Sequence, residues 1–372
     1  MIKILHTGDV HLDSPFSGLP SGMADRRREE SRAVFTSMMT YARSNVDLVL
    51  IAGDLFDDGF VTRSTVALIT DELAKVGCPV VISPGNHDPF APGSVWEKVT
   101  LPDNVHVFAP GGTGKFSFDE LGADVYGYAF SEAALRKNPL GMSCVTDSTR
   151  VNVVCAHADM SSPLSAYAPL SKEMLASFCA DYAALAHIHN ADGLMGEAGR
   201  TVYAYCGCPE GRSFDECGHK GAMVAEIEKD GTEAKVTLRP MRFSKKHYEI
   251  ASVNVDGAVT LAEVCEKARA ALDRFDENAI VRLKLTGSVD SALVISRETV
   301  ASLGGVYSVD VRDETLPLWG AAALEADVTV RGEVYRRLKG QLGSANERER
   351  EVAYRAFRYA MAAMAGENVT EE

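Results

Sequence analysis

Five short motifs rich in histidine, aspartate and asparagine occur within residues 8–189. Each follows a run of strand-like apolar residues, so each should project from the carboxyl edge of a sheet, where open α/β folds bind ligands. Their oxygen and imidazole nitrogen donors are suited to divalent metal ions. In chain order the motifs are Gly8-Asp9-Val10-His11, Gly53-Asp54-Leu55-Phe56-Asp57, Gly85-Asn86-His87-Asp88, Ala156-His157-Ala158-Asp159 and His187-Ile188-His189.

The set contains enough donors for two adjacent metal ions. Such a pair needs a carboxylate that bridges the ions, and Asp54 is the candidate bridge. Two ions about 3.5–4 Å apart hold a hydroxide for in-line attack on phosphorus, so the pattern indicates phosphoester hydrolysis. One ion would take Asp9, His11 and one of the two late histidines, and the other would take Asn86, His157 and the remaining member of the pair His187 and His189.

Each motif alone also has a structural explanation. A Gly-Asp step after a strand is typical of a turn or a helix N-cap. The aspartates that follow the motif positions either orient ligands or cap loops, and these are Asp57, Asp58 and Asp88. Three further histidines are interpreted as surface or core residues, namely His106, His219 and His247. Five motifs of matching residue type in one chain favour the metal site over these explanations.

The elements around the motifs predict an α/β fold. Continuous apolar runs such as residues 47–52 and 151–156 are typical of strands buried on both faces. Helical periodicity covers residues 23–44 and 62–76, with Thr62 as the N-cap of the second helix. A first domain is expected over 1–245, a small α/β domain over 246–315, and a linker (316–323) followed by a helical tail over 316–372.

An apolar stripe on the last predicted helix has two interpretations. It packs on the chain's own core, or it forms a docking surface for a partner. The residues of the stripe are Val352, Ala356, Phe357, Ala360, Met361 and Met364.

Composition limits the classes of function. Hydrophobic residues make up 46% of the chain, and no apolar run approaches the roughly 18 residues of a membrane span, so a folded cytoplasmic protein without membrane contact is expected. The eight cysteines are expected to be reduced. The net charge of −14 disfavours non-specific binding of nucleic acid. Residues 331–358 differ, since they carry eight basic and four acidic side chains.

The ordered motifs resemble the calcineurin-like metallophosphoesterase superfamily, with its pattern D-x-H, G-D, G-N-H-D, H and G-H-x-H. Within it the chain is similar to the SbcD family of DNA repair nuclease subunits, and most of all to its YhaO-like branch. The finer match rests on residues 6–19 (HTGDVHLDSPFSGL) and 209–216 (PEGRSFDE). The resemblance covers residues 1–245 well and the rest weakly.

The resemblance implies a four-layer αββα sandwich with a small C-terminal α/β capping domain and a helical tail. It assigns His87 to stabilise or protonate the leaving oxygen. It also implies two divalent ions, most often Mn²⁺ with Fe, Zn or Mg as alternatives, DNA as substrate, an SbcC-type ABC ATPase as partner, and a homodimer. The implied ligands are Asp9, His11, Asp54 and His189 for the first ion and Asp54, Asn86, His157 and His187 for the second.

The alternative that stays open is a phosphodiesterase for a small phosphoester, because the metal site itself does not specify the leaving group. Two departures from the family pattern occur. Ala186 precedes His187 where the family has glycine, which adds a methyl group near the metal cleft, and Cys206-Gly207-Cys208 replaces Gly-Ser. Neither departure removes a predicted ligand.

Overall fold

A computed structural model describes residues 1–17, 21–142, 144–191, 193–290, 293–318 and 321–365. The chain divides into two compact units, Met1–Tyr248 and Glu249–Glu372. The three-part division expected from the sequence stays a prediction. In the ranges described, no helix combines the length and the apolar composition needed to cross a membrane.

Two six-stranded sheets form the centre of the first unit. Their orders are β12-β11-β1-β2-β3-β4 and β5-β6-β7-β8-β10-β9. Strands β1 to β4 are parallel to one another, and so are β6, β7, β8 and β10, whereas β11, β5 and β9 pair with these groups antiparallel. The carboxyl ends of the parallel strands therefore meet at one edge of each sheet. The strands are β1 (Ile2–Thr7), β2 (Leu48–Ile51), β3 (Val80–Ile82), β4 (Val105–Val107), β5 (Gly114–Phe118), β6 (Ala123–Gly127), β7 (Val151–His157), β8 (Tyr182–Ala186), β9 (Met195–Ala198), β10 (Thr201–Tyr205), β11 (Gly221–Asp230) and β12 (Glu233–Arg242).

Alternating side chains of the central strands face opposite sides of each sheet. In β1, Ile4 joins the apolar cluster between the two sheets, whereas Leu5 joins the cluster beneath the helices of the first sheet. In β7, Val153 faces the intersheet core and Val154 lies in the outer cluster. The layers are therefore helix, sheet, sheet and helix, which confirms the predicted αββα sandwich. The helices of this unit are α1 (Ser21–Asn45), α2 (Arg63–Ala74), α3 (Val95–Lys98) and α4 (Lys172–Phe178).

The bounds predicted from the sequence for the longer helices lie close to those observed. The predicted N-cap is confirmed, because the Thr62 hydroxyl accepts a hydrogen bond of 3.2 Å from the Thr65 amide. Short strands at or near the sheet edges, such as β4, β5 and β9, were not expected from the sequence. Their three to five residues give too short a pattern to separate a strand from a loop.

The second unit contains a three-stranded sheet, a two-stranded sheet and five helices among its described residues. Residues 316–323 were expected to be a linker, but they include a strand at Leu316–Leu318 that pairs in parallel with Ser288–Asp290. The strands are β13 (His247–Asn254), β14 (Ala279–Thr286), β15 (Ser288–Asp290), β16 (Ser308–Asp313) and β17 (Leu316–Leu318), and the helices are α5 (Leu261–Leu272), α6 (Arg297–Ala301), α7 (Ala321–Ala326), α8 (Val330–Leu342) and α9 (Glu347–Ala365).

The apolar stripe of α9 is divided between two environments. Phe357 and Met361 are buried in a small cluster with Leu324, against which residues of α8 pack. Val352 and Met364 are exposed to solvent. One part of the stripe thus packs within the second unit, as the first interpretation expects, and the other part stays available on the surface.

Candidate metal centre

The predicted ligands lie at the carboxyl ends of five parallel strands. β1, β2 and β3 are neighbours in the first sheet, and β7 and β8 are neighbours in the second. Because the two sheets pack face to face, these strand ends come together at one edge of the sandwich. The ligands follow or end these strands in the order Asp9 and His11 (β1), Asp54 (β2), Asn86 (β3), His157 (β7), and His187 and His189 (β8).

His11 and His189 face each other through the ring nitrogens that a metal ion would bind. Their Nδ1 atoms each lie 2.7 Å from a carboxylate, Asp57 Oδ1 and Glu216 Oε1 respectively. Because an ionised carboxylate only accepts, each Nδ1 carries the hydrogen and each Nε2 keeps a lone pair. The two Nε2 atoms are 3.2 Å apart. When both rings are neutral, their lone pairs face each other at this distance and repel, and a cation bound by both removes that repulsion.

His157 and His187 repeat this arrangement on the second sheet. His157 Nδ1 lies 3.1 Å from the carbonyl oxygen of Ala52 and donates to it, so Nε2 keeps its lone pair. That Nε2 is 2.8 Å from Asn86 Oδ1 and 3.3 Å from His187 Nδ1. The other ring nitrogen of His187 is 3.8 Å from Asp159 Oδ2. Burial lowers the pKa of both histidines, which favours the neutral rings that a metal requires.

Asp54 lies between the two histidine pairs. Its Oδ2 is 3.5 Å from His11 Nε2 and 3.4 Å from His157 Nε2, which is the position expected of a bridging carboxylate. Asp9 approaches both groups as well. Its ligand atoms lie within 4.8 Å of those of His11 and His189, and also within 4.8 Å of those of Asp54 and His157. The structure thus brings all seven predicted ligands together, and this donor set fits a pair of divalent ions.

The backbone at several of these residues is strained. Asp9, His11 and Asp54 have φ of 48°, 47° and 52°, and His187 has φ of 111°. Residues other than glycine rarely adopt this left-handed region of the backbone, and each such residue costs about 1–3 kcal/mol. Hydrogen bonds hold the conformation, since the Asp9 amide donates to Gly53 O (3.0 Å) and the His11 amide to Asp54 O (2.9 Å). Strain of this kind is typical of active sites, where fixed side-chain positions matter more than local stability.

Gly53 is required by the close packing of the centre. Its φ is 101°, and a Cβ added there would lie 2.5 Å from Nδ1 of His157. The motif glycine therefore allows the strand end that carries Asp54 to approach the imidazole on the other sheet.

His87 differs from the ligand histidines in its exposure. Half of its side chain is accessible to solvent, whereas the side chains of His11 and His157 are buried. Its Nδ1 lies 3.1 Å from Asp57 Oδ1, and this hydrogen bond raises the pKa of His87. Although burial acts against it, hydrogen bonds from His11 and His87 hold the pKa of Asp57 well below its ordinary value. A partly exposed imidazole with a raised pKa, beside the predicted ligands, is suited to the role predicted for His87.

Two residues that contact the histidines were not singled out from the sequence, whereas Asp88 was named there as a residue that orients a ligand or caps a loop. Glu216 orients His189, and Asp159 approaches His187. Asp88 accepts hydrogen bonds from the amides of Gly85 (2.6 Å), Asp54 (3.0 Å) and Leu55 (2.9 Å), so this aspartate both caps the loop and positions a ligand. Glu216 is part of the quoted PEGRSFDE segment, but no spacing rule links it to a histidine 27 residues earlier.

The two departures from the family pattern leave the ligands in place. Ala186 is buried in the intersheet core, and its Cβ lies beside Gly8, where an added Cβ would come within 2.5 Å of it. Cys208 is buried with its Sγ 3.7 Å from Glu216 Oε2. Burial raises the pKa of this thiol, and among the described residues no candidate metal group contains a cysteine.

His106, which was interpreted as structural, contacts the rings of Phe116 and Phe118.

The two-sheet sandwich and the converging ligand atoms define a metal-dependent phosphoesterase, a hydrolase of phosphate esters. The chain belongs to the calcineurin-like phosphoesterase family, whose sequence model matches residues 2–191. The resemblance noted from the motifs is thereby confirmed. This family uses a dinuclear metal site.

The alignments with individual relatives cover more of the chain than the match to the family model does. The uncharacterized metallophosphoesterase YhaO of Bacillus subtilis is 29% identical over 310 residues, which cover 79% of this chain and 74% of YhaO. An SbcCD nuclease subunit of Staphylococcus epidermidis is 23% identical over 279 residues, covering 65% of this chain and 71% of that protein. The corresponding SbcCD nuclease subunit of Escherichia coli K12 is 28% identical over 259 residues, covering 58% of this chain and 62% of that protein.

Proposed function

We propose that this chain is a two-metal phosphodiesterase that cleaves DNA, as the nuclease subunit of an SbcCD-type repair complex. The observation that carries the hydrolytic part is the inward orientation of the ligand histidines. The outer nitrogens of His11, His157 and His189 each donate to a fixed acceptor, so their inner lone pairs converge with the oxygens of Asp54 and Asn86. Such an arrangement supports metal binding rather than a hydrogen-bonded polar core.

The ligand sets proposed from the sequence fit this geometry. Mn²⁺ suits the mixture of imidazole nitrogen, carboxylate and amide oxygen, and Fe, Zn or Mg are the alternatives. When bound, a pair of divalent ions supplies Lewis-acid stabilisation of the charge that develops on a phosphoryl group. The first ion would be held by Asp9, His11, Asp54 and His189, and the second by Asp54, Asn86, His157 and His187.

His87 is the proposed general acid of the reaction. Its Nδ1–H donates to Asp57, which fixes the ring and leaves the Nε2–H free to give a proton to the leaving oxygen. The hydrogen bond to Asp57 raises the pKa of His87 and so increases the fraction of the ring that is protonated at neutral pH. Asp57 also holds His11, so one carboxylate positions both the acid and a ligand.

DNA is proposed as the substrate because two of the relatives are named as SbcCD nuclease subunits. The net charge of −14 favours a second candidate, the hydrolysis of a small phosphoester, because nucleic-acid affinity depends on neutralising many phosphates. The excess of basic side chains in residues 331–358 gives the chain a local segment that could contact DNA.

A cleavage assay separates the two candidates. An end-labelled duplex with a single-stranded overhang is incubated with the protein and Mn²⁺, with EDTA, and with the Asp54→Asn variant and Mn²⁺. Degradation that requires both Mn²⁺ and Asp54 supports the nuclease. Hydrolysis of bis-p-nitrophenyl phosphate under the same conditions, with the DNA left intact even at high protein concentration, supports the small-substrate enzyme instead.

The proposed ATPase partner would bind the end of the second unit. Val352 and Met364 leave part of the α9 stripe exposed, which suits a docking helix. Because Phe357 and Met361 of the same helix are buried in the second unit, the test replaces only Val352 and Met364 by serine. This variant should keep the melting temperature of the wild type and lose co-purification with an SbcC-type ATPase, and retained co-purification would contradict the docking role.

A further inference from the structure

Arg212 lies beside the metal centre and is held there by one carboxylate. It belongs to the loop between β10 and β11, and its amide donates to Glu216 Oε2 over 2.7 Å. Its Nη2 donates to Glu216 Oε1 over 3.1 Å. The same Nη2 is 2.9 Å from Nδ1 of His189, but that ring nitrogen already donates its hydrogen to Glu216 and cannot accept another. The guanidinium therefore contacts a predicted ligand without bonding to it.

Most of the hydrogen-bond donors of Arg212 have no acceptor. A guanidinium carries five N–H groups. Among the described residues, Nε is buried without a partner and no acceptor lies at Nη1. Arg27, the other buried arginine of this region, likewise has a buried Nε without a partner, but its terminal nitrogens differ from those of Arg212. Both of its terminal nitrogens bond acceptors, which are Glu30, Glu210 and the carbonyl oxygen of Gly211. Arg212 thus keeps one buried donor, Nε–H, unsatisfied where buried donors are normally paired, and within the described residues its Nη1 makes no hydrogen bond.

Arg212 also belongs to the part of the centre that solvent can reach. The His11 ring contacts that of His189 at 5.0 Å and that of His87 at 4.7 Å, so Arg212, His189, His11 and His87 form a continuous row. The side chain of His11 is buried, but those of Arg212, His189 and His87 are 19%, 25% and 50% exposed. A molecule entering the cleft meets these three side chains above the buried carboxylates.

We propose that Arg212 binds a non-bridging oxygen of the phosphoryl group, and that this guanidinium makes the centre selective for anionic phosphoesters. The inference rests on the proposed phosphodiesterase function. Glu216 pairs with the guanidinium on one side, and an anionic ligand that enters the cleft would meet this positive charge at the part of the centre that solvent reaches. The planar guanidinium can direct two parallel N–H groups to phosphate oxygens, which a lysine cannot do.

The experiment compares Arg212→Gln and Arg212→Lys with Arg200→Gln in the full-length protein. Arg200 is the matched control. It loses the same charge but is bound to Asp181, at the amino end of β8, whereas the ligands follow the carboxyl end. Two quantities are measured for each protein. The first is Mn²⁺ content after dialysis, and the second is the Kd of inorganic phosphate for the Mn²⁺-loaded protein, by calorimetry.

We expect Arg212→Gln to keep its Mn²⁺ and to bind phosphate about 10- to 100-fold more weakly, which is the range for a lost charged hydrogen bond. Arg212→Lys should lie between this variant and the wild type, and Arg200→Gln should equal the wild type. The KM for bis-p-nitrophenyl phosphate should rise in parallel with the phosphate Kd.

Two results overturn the inference. Phosphate affinity within twofold of the wild type in Arg212→Gln shows that the guanidinium does not contact the anion. Loss of Mn²⁺ together with phosphate shows that Arg212 only positions His189. Failure of the wild type to hydrolyse any diester would refute the proposed function, but Arg212-dependent phosphate binding would still support the anion site.

Discussion

His6 connects the two sheets through a buried, neutral imidazole. It lies on β1 of the first sheet, and both of its ring nitrogens reach β8 of the second. Nε2 is 3.2 Å from the carbonyl oxygen of Leu185, which can only accept, so Nε2 carries the hydrogen. Nδ1 then accepts from the hydroxyl of Tyr182 over 2.8 Å. Every polar atom of the ring is satisfied in the neutral state, and a second proton on Nδ1 would break the hydrogen bond that the Tyr182 hydroxyl donates to it.

This arrangement makes the stability of the fold depend on pH. Burial lowers the pKa of His6 to about 3, whereas in the unfolded chain it is 6.5. Between these values the unfolded chain binds a proton that the folded chain does not. The stabilising contribution is therefore complete above pH 6.5 and is lost as the pH falls towards 3. The slope is about 1.4 kcal/mol per pH unit, so by pH 4.5 the loss from this side chain is about 2.7 kcal/mol.

The assay is urea unfolding of the wild type and of His6→Gln, in EDTA, at several values between pH 7.5 and 4.5. The other titratable groups, including the ligand histidines, are present in both proteins, so the difference between the two free energies of unfolding isolates His6. Glutamine does not titrate. The variant should be less stable at pH 7.5, by about 1–2 kcal/mol for its altered hydrogen bonds, and the gap should close or reverse by pH 4.5. Parallel curves across the whole range would refute the reasoning.

Three further predictions concern the metal centre. Asp54→Ala should release both ions because its carboxylate faces both histidine pairs, and metal analysis that finds one ion retained would contradict the bridge. His87→Ala should keep both ions while kcat falls about 10²- to 10⁴-fold, the usual contribution of a general acid; loss of metal would place His87 among the ligands. Gly53→Ala should lower metal affinity and destabilise the protein, because the new methyl group meets His157. Gly59→Ala is its control, since φ is 90° there but no atom lies within 4 Å of the added Cβ; equal melting temperatures and equal Mn²⁺ affinities for the two variants would exclude the contact.

The sequence located the predicted ligands at a sheet edge because each is tied to a local signal. A strand that is buried on both faces is a continuous apolar run, and the residues directly after it must lie at a sheet edge. Gly8, Gly53 and Gly85 mark those edges. Once two or more such strands are parallel, their ends meet, so the grouping of Asp9, Asp54 and Asn86 follows from the pattern of elements.

The residues that orient the ligands could not be predicted in this way. The choice for Asp57 between capping a loop and holding a histidine depends on where His11 and His87 lie in three dimensions. Glu216 reaches His189 only because the loop after β10 folds back over the end of β8. Such contacts join segments far apart in the chain, and neither periodicity nor motif spacing carries information about them.

The orienting contacts determine the chemistry of the centre more closely than the ligand list does. A histidine can bind a cation through one nitrogen only if the proton is held on the other, and His11, His157 and His189 each have a fixed acceptor on the outer side. Burial lowers the pKa of His11 and His157, which favours the neutral form of these two rings. For His189 burial acts in the same direction, but the hydrogen bond to Glu216 and the charge of Asp9 raise its pKa. The fold thus directs the lone pairs of His11 and His157 inward before any ion arrives. It follows that removing an outer acceptor would free the ring to turn over or change tautomer, and would weaken the centre although every ligand remained in the chain.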